Sequence, residues 1–221
     1  MPTVEEMLAL ITKLPSEHYG LLWRPTVGPE LDPVDYFRAW PQPIPPVHTS
    51  ELDIQVLRDT LASLNDPKLV VEIGVSAAEG VTTTSIILDW KPDTCTYIGI
   101  DVNPKTEFDN VNKKIYTLCN SSIEHEKLYM LMDQLDLKEI DFMFVDGYHS
   151  ISEVLWEWKY WERMSSEGVM VFHDTNYHPG PIAVLDAVDR TLFDVTYFGR
   201  ESPLFETDWG MGVVRRKGVT T

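Results

Sequence analysis

Ile140-Asp-Phe-Met-Phe-Val-Asp146-Gly-Tyr-His149 is a short apolar run that ends abruptly in a carboxylate and a histidine, and Val169-Met-Val-Phe-His173-Asp174 repeats the pattern. An apolar run of this length, bounded by polar residues, reads as a strand buried on both faces of a sheet. Two such strands side by side and parallel bring their Asp and His residues to one edge, where open α/β sheets bind their ligands.

Strand-like runs at Leu69–Ile73, Thr96–Ile100 and Lys114–Leu118 precede these two, and helical patterns lie between them. Ser50 caps a helix through Leu64. Another starts at Thr82–Thr84, and His125-Glu126 opens a further one. Ile151–Met164 places Ile151, Val154, Leu155 and Trp158 on one face, so it reads as a helix packed on the sheet. Trp156, Trp158 and Trp161 belong to that packing or to a subunit contact. A turn at His178-Pro-Gly-Pro181, a helix over Ile182–Leu192 and two runs, Val195–Phe198 and Gly210–Arg215, complete the chain as a C-terminal antiparallel hairpin. This alternation predicts a doubly wound, mostly parallel seven-stranded α/β sheet, Rossmann-like, with helices on both faces.

Of the 15 prolines, nine fall in residues 1–50, around one helical pattern at Val4–Leu14 and the aromatics Trp23, Tyr36, Phe37 and Trp40. Residues 1–50 therefore read as a Pro/aromatic-rich extension, either packed on the domain or a second subunit, or closing over the site as a flap. The domain proper is residues 51–217. A net charge of -17 over 221 residues repels phosphate backbones and anionic lipid, which argues against nucleic acid and membrane as partners. Cys95 and Cys119 lack metal-ligand spacing and read as buried, reduced thiols. With neither a signal-like start nor a membrane-length apolar run, the expectation is a cytoplasmic protein acting on a small molecule; oligomeric state stays open, the aromatic extension being compatible with a homo-oligomer.

All five parallel strands deliver a polar residue or glycine to the same edge. The first ends in Glu72-Ile-Gly74-Val-Ser76, where Gly74 lets a ligand approach the backbone. Asp101 ends the second, placed to accept hydrogen bonds from ribose hydroxyls. Asn120-Ser121-Ser122 ends the third, and Asp146 and His173-Asp174 end the last two. A dinucleotide fingerprint counted from Gly74 meets Ser76 and then Glu79, an acid where the third glycine belongs. The phosphate-loop pattern fails too, because Val81 follows Gly80. The loop suits a ligand with a ribose, an ammonium group and no phosphate, as in S-adenosyl-L-methionine, with Glu72 or a water it holds facing the ammonium.

Val71-Glu-Ile-Gly-Val, Gly99-Ile-Asp-Val-Asn, Phe144-Val-Asp-Gly-Tyr-His-Ser and Gly168-Val-Met-Val-Phe-His-Asp together resemble class I S-adenosylmethionine-dependent methyltransferases. The branch they resemble is that of macrocin O-methyltransferase and the cephalosporin hydroxylase-like proteins, over roughly residues 50–215. The resemblance implies a cofactor site of Glu72, Gly74, Ser76, Asp101, Val102, Asn120, Ser121 and Asp146. It also implies a metal site at Asp146 and Asp174, with His149 as the base. Members of that branch often carry Glu-Asp where this chain has His173-Asp174, one carboxylate fewer, so His173 either weakens the Mg2+ site or, as a third ligand, favours a softer ion such as Mn2+ or iron, with Asn176 as the alternative oxygen donor. The implied activity is metal-assisted O-methyl transfer to a small hydroxylated molecule, a sugar or secondary metabolite. A catalytically silent S-adenosylmethionine-binding scaffold and a nicotinamide-dependent reductase are the alternatives.

Overall fold

The structure, a computed structural model, describes residues 49–78, 80–176, 178–199 and 209–218. The expected helix at Val4–Leu14, almost all of the N-terminal extension, and Glu79 lie outside the described residues. The elements in chain order are α1 (Glu51–Ala62), β1 (Leu69–Ile73), α2 (Thr83–Trp90), β2 (Thr96–Asp101), β3 (Ile115–Cys119), α3 (His125–Gln134), β4 (Ile140–Val145), α4 (Ile151–Trp158), β5 (Met164–His173), α5 (Pro179–Ala187), β6 (Phe193–Phe198) and β7 (Met211–Arg216).

They form one seven-stranded sheet in the order β3-β2-β1-β4-β5-β7-β6. β1 to β5 are parallel, and β7 runs antiparallel between β5 and β6. The alternation of side chains along each strand decides which face they enter. Val71, Ile73, Met143, Val145, Met170 and Phe172 pack with α3, α4 and α5. Val70, Tyr97, Phe142, Phe144, Val169 and Val171 pack with α1 and α2 on the other side. The result is a three-layer sandwich whose chain order reverses between β1 and β4.

Several boundaries differ from expectation, the last helix ending at Ala187 and β6 beginning at Phe193 among them. α4 stops at Trp158, passes through a 3-10 turn over Lys159–Glu162, and Met164 opens β5. Trp158 and Trp161 are buried, and tight packing on Phe193 draws the chain off the helical path there. The last helix starts at Pro179 instead of Ile182, so Pro179 sits in its first turn, where a missing N–H costs nothing. Cys95 is buried as expected, whereas Cys119 is exposed at the end of the edge strand β3; both thiols are free.

Candidate active site

The reversal between β1 and β4 opens a cleft at the carboxyl ends of the strands, the place a doubly wound sheet offers a ligand. The cleft measures about 320 Å³ and is lined by Gly74, Asp101, Val102, Asn103, Asn120, Ser121, Ser122, Asp146, Gly147, Tyr148 and Glu153, among others. Gly74 has φ +86°, and a Cβ there would stand 1.9 Å from the Asp146 carbonyl oxygen. Its lack of a side chain therefore lets the ends of β1 and β4 close together. Asp101 holds the turn from the other side, accepting from the Val75 N–H at 3.1 Å and the Asn103 N–H at 2.8 Å. Asn120 carries a buried Oδ1 without a hydrogen-bond partner in the cleft wall.

Six of the eight residues read as cofactor ligands thus share this cleft. Two do not line it. Glu72 follows the parity of Val70, so it points beneath α2, where it accepts from Tyr97 at 2.5 Å, Thr84 at 3.0 Å and Thr83 at 3.1 Å. Burial pushes its carboxyl up to about 7, the hydroxyl donors offsetting only part of the desolvation. It anchors the β1–α2 turn and does not line the cleft. Ser76 is likewise engaged in that turn, its N–H donating to Thr84 Oγ1 at 2.9 Å.

Beside the cleft, and joined to it through Asp146, lies a cluster of acids and histidines. His149 Nε2 is 2.6 Å from Asp174 Oδ2 and 3.5 Å from Asp146 Oδ1. His173 Nδ1 lies 3.2 Å from both Asp146 Oδ1 and Asp174 Oδ1. His178 Nε2 approaches Asp174 Oδ2 at 3.7 Å, its ring 4.7 Å from that of His149. Asp174 adopts φ +62°, a left-handed backbone that few non-glycine residues accept. Burial alone would lower His149, but its hydrogen bonds to Asp146 and Asp174 prevail and raise it to about 10. His173 is also raised well above its ordinary value: burial opposes this, and the carboxylates of Asp146 and Asp174 prevail. Asp146 and Asp174 are driven down against their own burial, chiefly by the charge of His173.

Several neighbours escaped the sequence reading. Asp53 of α1, fully buried, brings its Oδ2 within 3.3 Å of His173 Nε2. In sequence it is an ordinary acid in a helical first turn. Glu157 is buried under Gly147 and accepts from Ser122 Oγ at 2.6 Å. Glu153 sits in the cleft wall, and burial raises both of these acids to about 7. Their i, i+4 spacing on α4 was a signal of a shared face, hidden among the tryptophans.

This sheet order, with its cleft at the reversal, is the fold of class I S-adenosylmethionine-dependent methyltransferases. Residues 71–175, which carry all five parallel strands from Val71 on, match the family model described as a methyltransferase domain. No curated protein sequence matches the chain. Among solved structures, the chain is similar to the MycE methyltransferase of the mycinamycin biosynthetic pathway, in complex with Mg, SAH and mycinamycin VI. That likeness has a TM-score of 0.57 at 16% identity, over 93% of this chain and 54% of the other. The chain therefore spans about half the length of MycE. It is also similar to the O-methyltransferase TomG from Streptomyces achromogenes, in complex with SAM, with TM-score 0.53, 12% identity and coverage of 96% and 90%. An O-methyltransferase from Bacillus cereus, in complex with SAH, gives TM-score 0.51, 12% identity and coverage of 98% and 93%. At such identities the likeness is one of fold.

Proposed function

We propose that the chain transfers the methyl group of S-adenosylmethionine to a hydroxyl of a small molecule, a sugar or secondary metabolite, with a divalent cation assisting. The observation that carries this is the junction at Asp146, whose carboxylate borders both the cleft and the acid–histidine cluster. A donor in the cleft and an acceptor at the cluster would then meet across one residue, and positioning is the larger part of methyl-transfer catalysis. Asp101 accepts from the ribose hydroxyls, Val102 packs the adenine, and Asn120 and Ser121 meet its polar edge. Gly74 leaves room at the sulfonium end.

The cation fits the residues present. Asp146, His173 and Asp174 each offer a ligand atom within 4.8 Å of the others, and two of the three are carboxylates already held in their charged form. Bound there, a divalent ion would lower the pKa of an acceptor hydroxyl and neutralise the carboxylates that keep His149 protonated. His149 is the base in this reading: a neutral imidazole at this place accepts the hydroxyl proton. The surface charge of -17 supports a small acceptor over a nucleic acid or an anionic membrane. Among the described residues no helix is long and apolar enough to cross a membrane.

The test is calorimetric titration with S-adenosylhomocysteine, followed by a screen of hydroxylated acceptors for methyl transfer. Binding is expected, with a loss of at least about tenfold in Asp101→Ala, since a ribose then loses a charged acceptor. Absence of binding sinks the proposal. Binding with no turnover on any acceptor, in the presence of any divalent ion, would favour the silent scaffold.

A further inference from the structure

We propose that Asp53 of α1 is a positioning residue for His173, and that the donor set it completes takes a first-row transition-metal ion in preference to magnesium. This rests on the cation site of the reading above and goes beyond it in naming what selects the ion. A capping-box acid ordinarily stays near solvent, because its task needs one oxygen towards the N-cap N–H. Asp53 does perform that task, accepting from the Ser50 N–H at 2.9 Å. Yet it is fully buried, and the oxygen that serves the cap, Oδ2, is also the one that faces His173. Burying a carboxylate for a cap alone is costly, so a charged or donating partner must justify the position.

That partner is His173. Its Nε2 is buried, lacks an aligned hydrogen bond, and lies 3.3 Å from Asp53 Oδ2. With its Nε2 edge towards Asp53, the ring turns its Nδ1 to face Asp146 Oδ1 and Asp174 Oδ1, both at 3.2 Å. A carboxylate behind a histidine that faces two further carboxylates is the arrangement that fixes a metal-ligating ring and raises its basicity. The donor atoms are then one imidazole nitrogen and two carboxylate oxygens. Magnesium favours an all-oxygen octahedral shell, whereas an imidazole nitrogen raises affinity for zinc, iron, cobalt and their neighbours. His149 and His178 bordering Asp174 Oδ2 make the surroundings richer still in nitrogen.

The experiment titrates the full chain with Co2+ and with Mg2+ by calorimetry, reading cobalt ligation from its visible absorption. Wild type is expected to bind one Co2+ at least about tenfold more tightly than Mg2+. Asp53→Ala should weaken Co2+ by about 10–100-fold, while Asp53→Asn, which keeps an acceptor for the Nε2 proton, should restore most of it. His173→Gln should abolish the preference for Co2+ over Mg2+, and serves if the Asp53 variants do not fold. Equal affinity for the two ions, no cobalt uptake, unchanged cobalt affinity in Asp53→Ala or a preference surviving in His173→Gln would each overturn the proposal. S-adenosylhomocysteine titrated into the same samples separates the two readings. Its failure to bind overturns the methyltransferase reading, whereas intact binding without cobalt uptake overturns this one.

Discussion

Gly74 shows what a single residue decides at this site. The glycine was legible as the end of a strand, and the structure adds a second reason for it. It makes room for the carbonyl of Asp146, and through it for the whole β1–β4 junction. Gly74→Ala is therefore expected to cost about 2 kcal/mol or more, from left-handed strain joined to a backbone clash. S-adenosylhomocysteine affinity should fall with it; urea unfolding and calorimetry check both, and an unchanged protein would remove Gly74 from the junction. Asp146, His173 and Asp174 were legible because each stands where an apolar run stops, and His149 because it follows Asp146 past the same strand end. Glu72 stands one position inside β1, where each step along the strand reverses the face, so its side chain leaves the cleft. Asp53 gave no signal, since burial by a distant strand end is a tertiary fact.

At the scale of elements, the close approach of α4 and α5 holds the cluster in place. The Gly180 N–H donates to the His149 carbonyl at 3.0 Å, and a Cβ on Gly180 would meet that oxygen at 2.5 Å and the Ser150 carbonyl at 2.6 Å. Gly180→Ala must push α5 away from the start of α4, at an expected cost of about 1–3 kcal/mol. Because Gly180 adjoins His149 and does not line the cofactor cleft, turnover should fall further than S-adenosylhomocysteine affinity does. Equal losses in the two measurements would argue that α5 serves only stability. Ser150 caps α4 by accepting from the Glu153 N–H at 3.2 Å, and Ser150→Ala should cost about 1 kcal/mol in thermal unfolding. The existence and type of these helices followed from their apolar spacing. Their ends did not: the break after Trp158 depends on how Trp158 and Trp161 pack against Phe193, which no local pattern records.

For the whole molecule, strand–helix alternation made the doubly wound sheet legible, down to the antiparallel pair at its end. The insertion of β7 between β5 and β6 was not, because two similar apolar runs say nothing about which joins the sheet first. Nor did composition disclose which acids burial raises. Glu72, Glu153 and Glu157 are each raised from 4.5 to about 7 by burial. Between those values the folded chain keeps protons that the unfolded chain has released, so raising the pH favours unfolding. Their contribution is complete below pH 4.5 and gone above about 7, and for Glu72 it is on the order of 3 kcal/mol. His149, raised from 6.5 to about 10, extends the decline into the alkaline range. Asp146 and Asp174 act in the opposite sense, but their stabilisation is lost only as pH falls below 3.8. Unfolding temperature should therefore fall steadily from pH 5.5 to 8.5, and Glu72→Gln should flatten the first part of that slope. A stability that rises across this interval would mean that these acids are ionised in the folded chain, with cations or ordered solvent compensating them.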